Sequence, residues 1–168
     1  MSKLEYVTIV GLLAWAVVAT AFAINYYLAY QSVSHVCQEL SAELSRLTVY
    51  ANLLIDFGNG TCLWYNDTPV PMGSTLLNLT LAVAEVEYST YGPYLDFPDV
   101  EAVFVDAING VSGNETHAWF WWRWNVQNRT WVFGEVGCNH PSVAVRNGST
   151  FAWAFRPFST WPPPPPGT

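Results

Sequence analysis

The residue types that supply acids, bases and metal ligands are scattered along this sequence. The three histidines, His35, His117 and His140, are separated by long intervals and lack metal-ligand spacing. No HExxH, phosphate-binding loop, GxGxxG or nucleophile-elbow motif is present. We therefore predict a protein that is not an enzyme, with no catalytic residue, no metal site and no cofactor. An enzyme is the third alternative, which a hydrolase activity abolished by changing Asp99 or His140 would support.

Four acidic residues, Asp96, Asp99, Glu101 and Asp106, lie close together in the sequence. Carboxylate oxygens are suitable calcium ligands, but this segment lacks the regular ligand spacing of a calcium loop. We interpret the segment as a solvated acidic loop rather than as a calcium site.

The most distinctive candidate site is an aromatic run at residues 119–125. In a strand, alternate side chains project to opposite faces, so this run places large rings on both faces at once. One face fills the core, and the other must be covered by a ligand, a neighbouring subunit or the chain's own loop at residues 91–98. The predicted ligand or interaction residues are Trp119, Trp121, Trp122, Trp124, Arg123 and Tyr94.

Three cysteines, Cys37, Cys62 and Cys138, form no CxxC pair, which argues against a zinc knuckle and a thioredoxin-like site. A disulfide between Cys62 and Cys138 is the preferred pairing, because both lie inside the region expected to fold. Cys37 is then the odd cysteine, which suggests an intermolecular bond or a free thiol.

An uncharged segment runs from Tyr6 to Ser32 near the N-terminus. Its stretch 6–30 exceeds the roughly 20 apolar residues that span a bilayer core, so we expect membrane lipid as a partner through residues 6–30. Residues 1–32 are therefore predicted to form a transmembrane signal-anchor. The predicted location is the cell membrane, single-pass, with the C-terminal domain extracellular.

A cleaved secretory signal peptide is the alternative interpretation of this segment. Ala21-Phe22-Ala23 would suit a signal peptidase. We favour a retained anchor, since the apolar character continues through Ile24 to Ala29.

Six Asn-Xaa-Ser/Thr acceptor sites occur in the chain, none with proline in the middle position. Random placement would give roughly one or two, so we predict N-linked glycans on an exported surface. Tight turns are the alternative explanation for the Asn-Gly-Thr and Asn-Gly-Ser sites. The six acceptors are Asn59, Asn66, Asn78, Asn114, Asn128 and Asn147.

Apolar residues recur at three- and four-residue intervals over residues 33–47, with polar residues between them. This period is typical of a one-sided helix, so we predict an amphipathic helical stalk that continues the anchor. The stripe must be covered by the chain's own domain or by a second copy. A homo-oligomer through the stalk helix is therefore a possible partnership.

The apolar period changes to two after the stalk, and residues 48–158 are predicted to form one β-rich domain. Its only helix is expected to begin at an N-cap of Ser74 or Thr75 and to reach Ala84. Asn109-Gly110 and Asn147-Gly148 indicate turns. The predicted strands are 48–57, 61–66, 86–90, 101–108, 116–125, 129–133, 142–146 and 149–155.

Five consecutive prolines lie in the segment 159–168. Proline cannot donate a backbone hydrogen bond, so an extended polyproline II tail is predicted. The alternative roles for such a tail are a spacer, a docking peptide and a frayed terminus.

The order of five segments suggests a fold. They are Ile55–Thr61, Gly73–Leu77, Phe104–Val111, Trp119–Asn125 and Gly137–Phe155. This order resembles a family of cell-surface domains similar to the C-terminal β-grasp domain of transcobalamin. The resemblance implies an α+β fold in which a mixed, β-grasp-like sheet covers one short helix. Cobalamin binding is not carried over, because the cobalamin-binding proteins need a second, helical domain.

Charge limits the classes of partner. The six basic residues are scattered singly and the formal net charge is −7, so nucleic acid is not an expected partner. The predicted function is a non-catalytic, membrane-anchored, glycosylated cell-surface module that presents its aromatic sheet to a glycan or a partner protein. The alternative is a structural subunit of an extracellular filament or surface lattice, with a pilin-like core helix.

Overall fold

The computed structural model describes residues 3–167, with side chains for residues 11, 12 and 15–167. The chain divides into two compact units, Met1–Arg46 and Leu47–Thr168. Each unit is described by itself below.

The first unit is one helix, α1 (Lys3–Arg46), of 44 residues. Within the described residues, no helix is both long enough and apolar enough to cross a bilayer. This finding contradicts the predicted transmembrane signal-anchor at 1–32 and the single-pass cell-membrane location, whereas the lipid contact through residues 6–30 stays a prediction. The prediction counted the apolar stretch 6–30, of which the side chains of residues 6–10, 13 and 14 lie outside the described part of the chain.

The segment predicted as a stalk is helical through Arg46. Its apolar side chains are exposed within the first unit, each by 50 to 68%. They lie three or four residues apart, which places them on one side of the helix. These residues, which we call the α1 stripe, are Val33, Val36, Leu40 and Leu44.

The second unit is built from strands and one short α-helix, together with a 3-10 turn at Pro141–Val143. In chain order the elements are β1 (Thr48–Asp56), β2 (Cys62–Pro71), α2 (Leu76–Leu81), β3 (Val86–Pro93), β4 (Glu101–Ile108), β5 (Val111–Ser112), β6 (His117–Asn125), β7 (Thr130–Phe133) and β8 (Thr150–Pro157).

These strands form two sheets. The larger is five-stranded in the order β2-β1-β8-β6-β7, and the smaller is three-stranded in the order β3-β4-β5. The central pair of the large sheet, β1 and β8, is parallel, whereas its other neighbouring strands are antiparallel. A mixed sheet with one short helix is compatible with the β-grasp arrangement that the resemblance implies.

Short-range sequence signals account for the turns and for the start of α2. Asn109 and Gly110 both have positive φ, 49° and 77°, as a tight turn between β4 and β5 requires. Thr75 is the N-cap of α2, and its backbone N–H donates to the Asn78 side-chain oxygen at 2.9 Å. The Trp153 indole donates to the Thr80 hydroxyl at 2.8 Å, which joins α2 to β8.

The hydrophobic core lies on the face of the large sheet that packs against α2. Alternate residues of β1 point into it, as the period-two pattern predicts. Buried members include Val49, Ala51, Leu53, Ile55, Leu76, Leu79, Ile108, Trp119, Phe151 and Trp153.

Several predicted boundaries differ from the structure: α2 ends at Leu81 rather than Ala84, and β3 continues to Pro93 rather than ending at Thr90. The strand predicted at 142–146 is instead the 3-10 turn, followed by an isolated bridge between Thr75 and Ala144. Proline with its fixed φ suits the first position of a helical turn, and Pro141 holds that position. The strand predicted at 61–66 continues through Pro71 as β2, because β1 is long enough to pair along that whole length. The short strand β5 was not predicted.

Candidate functional site

The aromatic run forms β6, and its side chains alternate between the core and the opposite, outer face of the large sheet. Trp119 belongs to the core and donates its indole N–H to the Val111 carbonyl oxygen at 2.7 Å. Trp122, on the outer face, packs against Phe133. Both tryptophans are only 2% exposed and stabilise the sheet, and Trp119 also borders the cleft described below. Their role as ligand residues stays a prediction, and the structure shows both rings packed, one on each face of the strand.

The outer face is covered by residues 158–167, which we call the proline-rich segment. The ring centroid of Phe120 lies 6.1 Å from those of Phe133, Phe158 and Trp161. Trp161 also contacts Phe133 edge to face, with centroids 5.2 Å apart. Five prolines follow Trp161, and two of them, at 163 and 166, are buried. The segment is therefore packed on the sheet, unlike the spacer or frayed terminus that were considered from sequence.

A buried ion pair holds the far end of the proline-rich segment. Arg156 Nη2 lies 2.5 Å from Asp56 Oδ2, and both side chains are at most 7% exposed. The same guanidinium donates to the carbonyl oxygens of Pro164 and Pro165, each at 3.3 Å. The Gly167 N–H donates to Asp56 Oδ2 at 3.0 Å. Five donor and acceptor groups are thus satisfied together where the segment meets β1 and β8.

The environment of Asp56 favours its ionised form. Burial acts to raise the pKa of this carboxyl. Hydrogen bonds from Arg156 and from the backbone N–H groups of Gly167 and Gly58, together with the Arg156 charge, outweigh burial. The pKa of Asp56 is therefore lowered below its ordinary value of 3.8. The carboxylate is consequently charged at neutral pH and remains a permanent partner for Arg156.

A cleft of about 240 Å³ opens between β4, β6 and the segment 133–138. We call it the aromatic cleft. Several of its lining side chains are exposed, including Phe104 by 43%, Val136 by 40% and Trp161 by 73%. Its charged lining group is the carboxylate of Glu135. The lining of the aromatic cleft includes Phe104, Trp121, Phe133, Glu135, Val136 and Trp161.

Trp121 forms the floor of the aromatic cleft because the chain passes directly across its ring. Its indole N–H donates to the Val136 carbonyl oxygen at 2.9 Å. A Cβ atom at Gly134 would lie 2.0 Å from the Trp121 ring, so only glycine permits this approach. Trp119 and Trp121 are the predicted site residues that the structure places in this cleft.

The remaining predicted residues of the run lie elsewhere. Arg123 is exposed and lines a neighbouring cleft of about 360 Å³, which also includes Glu135 and Ser142. Trp124 is half-buried and packs edge to face on Trp131, with centroids 5.1 Å apart. The side chains of the aromatic run therefore do not form one continuous surface.

Tyr94 is separated from the run as well. Its hydroxyl donates to the Asn139 side-chain oxygen at 2.7 Å, and its ring contacts His140 edge to face at 4.6 Å. Phe97 contacts the same imidazole at 5.0 Å. Burial raises the pKa of Tyr94, so its hydroxyl remains a hydrogen-bond donor. The loop that carries Tyr94 covers His140 rather than the aromatic run, so the structure does not bring Tyr94 together with the tryptophans.

His140 is the centre of an arrangement that sequence reasoning missed. Its Nδ1 lies 2.7 Å from the Ser142 hydroxyl and accepts the Ser142 backbone N–H at 3.2 Å. Its Nε2 lies 3.1 Å from an Asp96 carboxylate oxygen. The order serine, imidazole, carboxylate is that of a catalytic triad. Here, however, Nδ1 is shared between two donors and the bonds to Ser142 cap the 3-10 turn, so the arrangement is fully used in local structure.

The other acidic residues do not converge. Asp106 accepts a short hydrogen bond from the Ser89 hydroxyl, and Asp96 is paired with His140. Across the described part of the chain, no group of three or more His, Cys, Asp or Glu side chains could hold a metal ion.

The six acceptor asparagines are all exposed. Of the other asparagines in the second unit, Asn109 is exposed, whereas Asn52, Asn125 and Asn139 are half-buried. The sequon positions are thus accessible for N-glycosylation, and the glycans stay a prediction.

The three cysteines are free thiols. Cys62 is exposed at the start of β2, whereas Cys138 is buried in the core, so the structure does not form the preferred disulfide between them. Burial raises the pKa of the Cys138 thiol to about 12. Cys37 is exposed on α1, and an intermolecular bond through it remains a prediction.

The aromatic cleft includes five residues that sequence reasoning did not select: Phe104, Phe133, Glu135, Val136 and Trp161. They come from three separate parts of the chain, and no spacing rule connects them. Gly134 was the available signal, since a glycine directly after a strand can mark a close approach of two chain segments.

No known family model matches this chain, and no curated protein sequence is significantly similar to it.

Proposed function

We propose that this chain is a non-catalytic interaction module that binds its ligand in the aromatic cleft. The observation that carries the proposal is the convergence of exposed apolar rings on a single carboxylate, with Phe104 and Trp161 on the walls and Glu135 at the edge. Recognition sites commonly combine an apolar lining with a few placed polar groups.

The size of the cleft favours one class of ligand. Pockets for whole small molecules usually enclose about 300–1,000 Å³, whereas this cleft encloses about 240 Å³. It therefore suits one unit of a longer ligand. A sugar ring has an apolar face that can lie on Trp121 or Trp161, and hydroxyl groups that can donate to the Glu135 carboxylate. We therefore propose a neutral glycan as the ligand.

A glycan array probed with the full-length chain tests this proposal. Binding should be retained by Val126→Ala, which alters an exposed residue between β6 and β7, and reduced at least tenfold by Phe104→Ala and by Glu135→Gln. Equal binding by all four chains would show that recognition occurs elsewhere. Binding to partner proteins but to no glycan would replace the ligand class.

The non-catalytic part of the proposal has its own test at Ser142. Because His140 Nδ1 is already shared with a backbone N–H, we expect no activation of the Ser142 hydroxyl. Incubation with a fluorophosphonate probe should leave this serine unmodified by peptide mass spectrometry. Labelling of Ser142 that disappears in His140→Gln would support an enzyme instead.

A structural subunit is the second candidate function, favoured by the exposed α1 stripe. Apolar side chains at three- and four-residue spacing are covered when two helices pair, and Cys37 lies beside Val36 and Leu40. In this proposal a second copy covers the stripe. Sedimentation velocity distinguishes the two functions. An interaction module should be a monomer or a dimer. Large ordered polymers that are lost in Leu40→Glu would favour the structural subunit.

A further inference from the structure

The outer face of the large sheet contacts the proline-rich segment in two distinct ways. At one end, the ring of Trp161 lies against Phe120 and Phe133. At the other end, Arg156 donates to two consecutive proline carbonyl oxygens. An aromatic contact and a polar contact therefore fix the position of the segment along the sheet.

This combination matches the chemistry of a proline-rich peptide. Proline has no backbone N–H, so its carbonyl oxygen is the polar group that a receptor can recognise. Domains that bind such peptides use aromatic-lined grooves, because a run of prolines is already extended and loses little entropy on binding. Arg156 is well suited to the polar part, since its guanidinium presents several donors in a rigid plane and is itself fixed by Asp56.

We propose that the outer face is a recognition groove for proline-rich peptides, occupied here by residues 161–167 of the same chain, and that it accepts this segment from a second copy. The groove is distinct from the floor of the aromatic cleft at Trp121, although Phe120, Phe133 and Trp161 border both. Ser159 and Thr160, which connect β8 to the segment, are exposed, so the connection can redirect the segment without disturbing the core. A second copy would then restore the same contacts in trans.

A peptide-binding experiment tests the groove. The probe is a synthetic peptide with the sequence of residues 158–168, and the receptor is a full-length chain in which residues 161–166 are replaced by a Gly/Ser run of equal length. This receptor should bind the peptide at least tenfold more tightly than the wild-type chain, whose own segment competes at high effective concentration. A peptide with Trp161→Ala should bind at least tenfold more weakly. A folded receptor that binds neither peptide, or both equally, would overturn the proposal.

A second measurement applies to the chain with its own segment in place. A photo-crosslinking amino acid at position 161 should give intramolecular products at low protein concentration and increasing intermolecular products, mapped to β6 and β7, as the concentration rises. Intramolecular products alone at every concentration would exclude exchange between copies. Neither readout depends on glycan binding, so failure here leaves the proposal for the aromatic cleft standing, and the reverse also holds.

Discussion

Replacing Asp56 by asparagine removes one charge of a buried ion pair and changes little else. Asp56 accepts hydrogen bonds from Arg156 at 2.5 Å, from the Gly167 N–H at 3.0 Å and from the Gly58 N–H at 2.9 Å. Asparagine has nearly the same shape and keeps one carbonyl oxygen. The variant therefore leaves the Arg156 charge buried without an opposing charge.

The loss of stability in Asp56→Asn depends on the hydrogen-bond acceptors that Arg156 keeps. Breaking a buried ion pair on one side typically costs about 3–5 kcal/mol. Arg156 keeps the carbonyl oxygens of Phe155, Pro164 and Pro165 as acceptors, which offsets part of that cost. We expect a loss of about 2–3 kcal/mol in the free energy of unfolding, or roughly 10 °C in Tm for a domain of this size.

Urea unfolding followed by tryptophan fluorescence measures this loss. The matched control is Asp99→Asn, which makes the same chemical change at an exposed position and should cost less than about 0.5 kcal/mol. A loss in Asp56→Asn no larger than in the control would refute the view that this ion pair fixes the segment.

The pH dependence of stability gives an independent check of the same pair. Because the folded-state pKa of Asp56 is lowered, its contribution is complete above the unfolded value of about 3.8 and is lost as the pH falls through the folded-state pKa. Wild-type stability should therefore decline below about pH 4 more steeply than that of Asp56→Asn. Parallel declines in the two chains would contradict the assignment.

Three further predictions concern packing, thiols and glycans. Gly134→Ala should lower the free energy of unfolding by about 2 kcal/mol or more, because its Cβ would overlap the Trp121 ring. The control is Gly113→Ala, whose Cβ meets nothing closer than 3.5 Å. This control should lower the free energy of unfolding much less in the same urea titration. Iodoacetamide should modify Cys62 in the native protein and Cys138 only after unfolding, since burial holds the pKa of Cys138 at about 12, and equal rates by mass spectrometry would contradict this. Protein from the native source should lose mass on treatment with peptide N-glycosidase, and an unchanged intact mass would remove the glycan prediction.

Local patterns in the sequence predicted the second unit well where one rule governed one element. The alternation of apolar and polar residues predicted β1, and the Asn-Gly pair predicted the turn before Val111. The N-cap candidates Ser74 and Thr75 predicted the start of α2, where Thr75 is the N-cap. The predicted membrane segment is contradicted, because no helix within the described residues is long enough and apolar enough to cross a bilayer.

The candidate site was predictable only in part. The rings of the aromatic run were visible in the sequence, and Trp121 does line the cleft. Which rings are exposed depends on what covers each face, and the outer face is covered by a segment about forty residues further along the chain. The partnership of Asp56 with Arg156 spans one hundred positions. Contacts at such separations follow from the sheet order, which no local pattern encodes.

The most direct test of the central proposal is an NMR titration of the tryptophan indole N–H signals with the glycan that the array identifies. Ligand in the aromatic cleft should shift the signals of Trp121 and Trp161 and leave that of Trp64, which lies on β2 and does not line the cleft, unchanged. Shifts confined to Trp124 and Trp131, or no shift at saturating ligand, would contradict binding in the cleft.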